Sequence, residues 1–361
     1  MQELKELLIK EFNVKEEKVD RVISCLPDVY KTGELSLDKV RTYISSVIGQ
    51  FEDYVHETSV ENKYFDPDYF YEDDEGKLRF KSDAPAGKVP QPVGYTDYSG
   101  MFKYCSSYPY DISEWDVSNV TDMKYMFAYC KTEYFGDLSN WDVSNVTDMA
   151  WMFAYCKVKS FGDLSNWDVS NVTSMASMFL SCKVKSFGDL SKWDVSNVTN
   201  MCYLFGRCEV ESFGDLSNWD VSNVNDMQGI FSFCKVKSFG DLSKWNITNV
   251  TDMSCMFQEC ETESFGDLSN WDVSNVTDMS CMFKGCETES FGDLSEWDVS
   301  NVTNMLEMFC LCKVESFGNL SKWDVSNVTN MIYMFQGCQV KSFGDLSKWK
   351  PKYQYLCTEI V

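Results

Sequence analysis

The sequence predicts an α/β repeat solenoid, with one short parallel strand and one short helix per 26-residue repeat, following a small all-α N-terminal domain. Three observations predict it. Trp115, Trp141, Trp167, Trp193, Trp219, Trp245, Trp271, Trp297, Trp323 and Trp349 stand at a constant interval of 26 residues. Between them the letters WDVSNVTDMxxMFxxC and SFGDLS return almost unchanged. Ahead of them, apolar residues follow helical spacing without any repeat. A fixed period of this length is the signature of stacked supersecondary units.

Each element follows from its residues, numbered from Trp as position 1. Positions 1–7, W-D-V-S-N-V-T, are rich in β-branched residues and predict the strand. Positions 9, 12, 13 and 16 are Met123, Met126, Phe127 and Cys130 in the first copy. Their i, i+3, i+4, i+7 spacing predicts a two-turn helix with one apolar face. Thr121 and Asp122 are its expected N-terminal caps. Gly136-Asp137 marks a turn, and Leu138 leads back to the next Trp. One such unit is too small to bury its apolar residues, so copies must stack. Stacking creates structural ladders of Trp141 and Trp167, Phe127 and Phe153, Cys130 and Cys156, and a hydrogen-bonding ladder of Asn145 and Asn171.

Residues 1–60 carry stripes such as Leu4, Leu7, Leu8 and Phe12, then Leu37, Val40, Ile44, Val47, Phe51 and Tyr54. They predict a three-helix domain or, as the alternative, a coiled-coil seam through which the chain forms a homo-oligomer. Residues 61–100 alternate aromatics with acids around EDDEGK, predicting a hairpin, and end in a Pro/Gly-rich linker or cap. The array proper is expected over 101–349, with 350–361 as a C-terminal cap.

The pattern resembles known repeats. LSNWDVSNV has the spacing of leucine-rich repeats, and MFxxC is similar to the AFxxC of BspA-like leucine-rich repeats. WDVSNVTDMxxMF resembles the 26-residue surface-protein repeat of Listeria, lactobacilli and mycoplasma lipoproteins, found also in protists and large DNA viruses. The resemblance covers about residues 101–349 and implies a right-handed leucine-rich-repeat-like solenoid used in surface display, adhesion or protein binding.

Composition narrows function further. A formal net charge of −24 repels phosphate backbones and anionic lipid, so neither nucleic acid nor membrane insertion is expected; basic proteins or cations fit better. The N-terminus has no apolar leader core and no run is long enough to span a bilayer, while sixteen cysteines lack disulfide-scaffold density. An intracellular reducing compartment or a virion is the expected location. A single histidine, His56, leaves the array without Ser-His-Asp or Cys-His catalysis, and no glycine-rich phosphate loop occurs. No enzyme, cofactor or metal centre is expected. Aspartate ladders at positions 2 (Asp116, Asp142) and 23 (Asp137, Asp163) have two readings: acceptors for local turns, or a row of cation sites.

What varies between copies points elsewhere. Positions 10, 11, 14 and 15 hold Tyr125, Tyr129, Trp151, Tyr155, Tyr203, Arg207, Phe233, Leu306 and Tyr333. On the predicted helix they face away from the Met-Phe-Cys stripe. Aromatics and arginine there suit a protein-binding surface. The expected function is a non-enzymatic scaffold for protein–protein interaction, alone or as a component of a larger assembly, with a cell- or virion-surface adhesin and a cation-binding solenoid as alternatives.

Overall fold

The computed structural model describes residues 4–6, 8, 23, 63–288, 290–340 and 342–351. The chain divides into two compact units, Met1–Thr96 and Asp97–Val361. Of the three-helix domain expected over 1–60, only Leu4, Lys5, Glu6, Leu8 and Ile23 are described, each helical. The rest of that expectation, and the oligomer seam drawn from it, lie outside the described residues.

In the first unit the expected hairpin forms. Strand β1 (Phe70–Glu72) pairs antiparallel with β2 (Leu78–Phe80), Phe70 opposite Phe80. The turn is organised by Asp73, whose carboxylate accepts from the backbone N–H groups of Glu75 and Lys77 at 3.0 and 2.9 Å. These bonds, that of Lys77 first, hold the Asp73 carboxyl below the usual carboxylate range. The Tyr95 hydroxyl donates to Glu72 at 2.8 Å.

The second unit is the array. Its period is as the sequence predicts, but the rung is built differently. Neither the two-turn helix nor the strand is present in any copy. Two consecutive four-residue turns replace the helix. Met126 N–H donates to Met123 O (3.1 Å) and Cys130 N–H to Phe127 O (3.2 Å). Each turn buries its first and last residues, so two in succession reproduce the i, i+3, i+4, i+7 pattern of a helix.

The backbone donors show why the turns win. From Met123 to Cys130, no N–H reaches four residues back. Met123, Tyr125, Phe127 and Tyr129 donate to Asp148, Ala150, Met152 and Ala154 on the next rung, at 2.8–2.9 Å. Met126, Ala128 and Cys130 donate three residues back, and Lys124 donates to the Asp122 carboxylate at 2.8 Å. A helix would satisfy these groups internally and leave nothing for the neighbour. The alternation directs half of them across the stack.

Positions 1–7 also bend. Val120 N–H closes a turn onto Val117 O (2.9 Å), and Asp116 accepts from Ser118 N–H at 3.0 Å. The parallel strand ladder contracts to isolated bridges: one at position 8, running Asp97, Asp122, Asp148, Ser174 and onward to Asn330, and one at position 17 joining Lys235, Glu261 and Glu287. The first rung therefore begins at Asp97, where Tyr98 replaces the usual Met. Short 3-10 turns, from Leu190–Lys192 to Leu346–Lys348, lead into each following Trp. The aspartate of position 23, or Asn319 in one copy, accepts from the serine N–H and caps each of them.

The interior is a set of aromatic stacks. Phe127, Phe153, Phe179 and Phe205 lie one above another with centroids 5.5–5.9 Å apart and planes within 9° of parallel. A second phenylalanine per rung packs against the first, as Phe161 does on Phe153 at 4.1 Å. Among the described residues, every buried side-chain nitrogen and oxygen has a hydrogen-bond partner.

Candidate functional site

The two turns of each rung require a left-handed residue at their third position, as in a type II turn. These are positions 11 and 15, and all nine copies have positive φ at both. Tyr125 and Tyr129 sit at φ 58° and 58°, Trp151 and Tyr155 at 60° and 56°, Tyr203 and Arg207 at 51° and 57°. Only Gly229, Gly285 and Gly337 bring glycine to these positions. Non-glycine residues there cost about 1 kcal/mol each, and bulky ones are uncommon.

Position 22 makes the contrast. It also has positive φ, and it is glycine in every copy from Gly136 to Gly344. Two conditions impose this. Its φ of 83–91° lies beyond the left-handed well near 57°. A Cβ on Gly240 would also stand 2.0 Å from the Asp215 carboxylate of the preceding rung. Positions 11 and 15 lie inside that well, and most of their side chains are half-buried or exposed, so side chains are tolerated.

Seven of the nine candidate partner-binding residues lie at the N-terminal or central left-handed corners: Tyr125, Tyr129, Trp151, Tyr155, Tyr203, Arg207 and Phe233. Tyr333, at φ 56°, is an eighth, at the far end. Leu306 is at position 10, half-buried and outside the left-handed set. The expected helix face is thus corrected to a double row of turn corners. The same corners also carry Ser177, Ser181, Cys255, Glu259, Cys281, Glu307 and Leu311, of which reasoning from sequence missed Ser177, Ser181 and Glu307. The glycines at 229, 285 and 337 are the one sequence signal of the left-handed conformation.

At the N-terminal end the corners merge into an aromatic cluster. Tyr104, Tyr129 and Tyr155 form a stack with centroid steps of 5.2 and 4.9 Å. Tyr125 lies 5.7 Å from Trp151, and Trp151 lies 6.5 Å from Tyr155. Lys103 sits over the Tyr125 ring at 4.5 Å, and Arg207 over Phe233 at 4.4 Å. Each cation–ring contact is worth about 0.5–1 kcal/mol at such exposed sites. Tyr104 remains 60% exposed and Tyr155 40%. Because rings stack on one another, their faces are largely occupied and their edges face outward. That disfavours a sugar-stacking platform and suits contacts with apolar and guanidinium groups of a protein.

The other ladders are engaged internally. Trp141 and Trp167 are buried, their indole N–H groups donating to Ile112 O and Leu138 O of the rung before. Phe127 and Phe153 are fully buried and stacked at 5.5 Å. Asn145 and Asn171 donate through Nδ2 to Ser118 O and Ser144 O, each at 2.7 Å. Asp142 and Asp168 accept both the N–H and the hydroxyl of the serine two residues on.

Cys130 and Cys156 are buried, and Cys130 Sγ donates to Phe102 O at 2.9 Å. Burial pushes the Cys130, Cys208, Cys234 and Cys260 thiols up, to about 12 for Cys234, so these stay protonated and unreactive near neutral pH. Among the described residues no group of three or more Cys, His, Asp or Glu is arranged to hold a metal ion.

A solved leucine rich cell surface protein of Faecalibacterium prausnitzii aligns over 84% of this chain and 99% of its own, with 12% identity and a TM-score of 0.21. No curated protein matches the chain. The family model described as "Mycoplasma protein of unknown function, DUF285" matches four overlapping stretches, residues 93–187, 157–265, 181–291 and 261–355. Together they cover the array from its first rung to its last tryptophan, so the chain belongs to the DUF285 repeat family.

Proposed function

We propose that this protein is a non-enzymatic repeat scaffold that binds a protein partner through the side chains at its left-handed corners. The observation that carries this reading is the contrast between positions 22, 11 and 15. Glycine occupies every left-handed site at position 22, whereas Tyr, Trp, Arg, Phe, Leu, Glu, Cys and Ser occupy most of those at 11 and 15. Uncommon backbone conformations that carry large side chains concentrate where the side chain has a task. The rest of the rung is nearly invariant and hydrogen-bonded to its neighbours, so selectivity falls to these corners. With a net charge of −24, the complementary surface is basic, its guanidinium and apolar groups meeting the aromatic edges.

The natural rung that carries Ser177 and Ser181 supplies the test, because serine at both corners is compatible with the fold. In affinity capture, the variant Tyr125→Ser/Tyr129→Ser/Trp151→Ser/Tyr155→Ser is compared with wild type. Expected is a protein recovered by wild type and lost by the variant, with cooperative melting of the array retained in both. Equal recovery of every bound protein discards the corner surface.

A further inference from the structure

Towards the middle of the array, the position-11 corners carry a different chemistry. Tyr203, Gly229, Cys255, Cys281 and Glu307 succeed one another, all with φ between 51° and 57°. Gly229 leaves its corner empty, and the Tyr203 ring fills it: a Cβ on Gly229 would lie 2.2 Å from Tyr203 Cε1. The Tyr203 ring thereby covers the corner between its own rung and that of Cys255, and Cys255 and Cys281 occupy the next two corners. Cys281 Sγ lies 3.7 Å from Glu307 Oε2, and Glu307 is ion-paired with Lys284.

The two thiols occupy the same turn position on adjacent rungs. Cys255 N–H donates to Ser280 O and Cys281 N–H to Leu306 O, both at 2.8 Å. Equal φ and equal register set their Cα–Cβ bonds side by side. Asp252 and Asp278, three residues before the two cysteines, form a parallel bridge; backbones so paired lie about 4.8 Å apart, within the Cα separations of about 4.4–6.8 Å that disulfides span. The position-16 cysteines are stacked with the same period but buried, and their thiols are engaged there, Cys234 donating to Phe205 O at 2.8 Å and Cys105 to Cys130 Sγ at 2.9 Å. Cys255 and Cys281 are only half-buried. We propose that Cys255 and Cys281 are a reactive thiol pair that a hydroperoxide oxidises to a disulfide joining adjacent rungs, with Cys255 as the attacking sulfur.

The steps balance. Cys255 loses its proton to solvent, and its thiolate attacks the peroxide. An S–O bond forms, the O–O bond breaks, and hydroxide leaves to take up a proton from solvent. Cys281 then passes its proton to Glu307, and its sulfur bonds to that of Cys255. The S–O bond breaks, and the departing hydroxide takes the proton from Glu307 to leave as water. Two thiols and one hydrogen peroxide give one disulfide and two waters. The Cys281 thiol donates to the Glu307 carboxylate at 3.7 Å, which keeps it protonated, whereas Cys255 stands one corner further from that charge. That division assigns the attacking and resolving roles.

The test uses the full-length reduced protein treated with hydrogen peroxide, blocked with N-ethylmaleimide and digested without reductant. Expected is a Cys255–Cys281 linked peptide as the main oxidation product. In Cys281→Ser, dimedone is expected to trap a sulfenic acid on Cys255. Three results overturn the proposal: both cysteines remaining open to maleimide after peroxide, a different pair dominating, or dimedone marking Cys281 in Cys255→Ser as fast as Cys255 in Cys281→Ser.

Discussion

Ser181 and Gly240 both have left-handed backbone, at φ 53° and 88°, yet they respond in opposite ways to substitution. Ser181→Gly relieves a left-handed Cβ at the cost of a more flexible unfolded chain, so a net gain of about 0.5 kcal/mol is expected in urea denaturation. Gly240→Ala places a Cβ against Asp215, whose carboxylate is fixed as the cap of the next turn. A loss above about 2 kcal/mol is expected there. Equal effects at the two sites would contradict the distinction between corners that present side chains and corners that cannot. The glycine of position 22 is legible in the sequence because it never varies. The corners at 11 and 15 are not, since tyrosine and tryptophan give no hint of positive φ, and only three glycines mark the series.

At the scale of the rung, the apolar pattern was readable and its geometry was not. Met123, Met126, Phe127 and Cys130 are buried, but the spacing is shared by a helix and by two joined turns. Only the cross-rung donors decide between them, and those depend on a neighbour that a single repeat does not show. The Trp, Phe and Asn ladders come from letters that the period itself singles out. Trp219→Phe keeps the ring in the stack but removes the donor to Leu190 O at 3.0 Å. A loss of about 3 kcal/mol is expected by thermal or urea melting; a neutral outcome would remove the indole bond from the rung's supports.

The aspartates add a pH dependence. In Asp189, Asp215 and Asp241 the serine hydroxyl of the same turn, then its N–H, holds the carboxyl below the usual range. Asp220 and Asp272 are lowered in the same way by Ser222 and Ser274. Lowered carboxyls contribute stability present above the unfolded value near ~3.9 and lost as pH falls through the folded values. Asp226 runs the other way, raised by burial first and also by the charge of Asp252. Its contribution is present at low pH and lost as pH rises through its folded value. The lowered group is the larger, so the melting temperature is expected to fall steeply below about pH 4. A flat profile from pH 6 to about pH 3 would show that these caps carry no net stability.

Over the whole molecule, the array behaves as a one-dimensional stack in which each rung bonds to its neighbours. Deleting residues 219–244 removes one complete period and joins Asn218 to Trp245 in the original phase. The shortened chain is expected to unfold cooperatively at a slightly lower temperature, whereas deleting residues 219–231 breaks every ladder at once. Tryptophan fluorescence melts distinguish the two, and similar melts for both would contradict register as the source of stability. Period, extent and interior of this stack were open to reading from the sequence. The partner was not, because the corners differ from copy to copy and recognition depends on their combination.

The most direct measurement is the affinity of the captured partner, purified, for wild type and for the four-serine corner variant at matched ionic strength. Expected is at least a hundredfold weaker Kd for the variant, with its cooperative melting retained. Equal Kd values for the two proteins would contradict the assignment of binding to the left-handed corners.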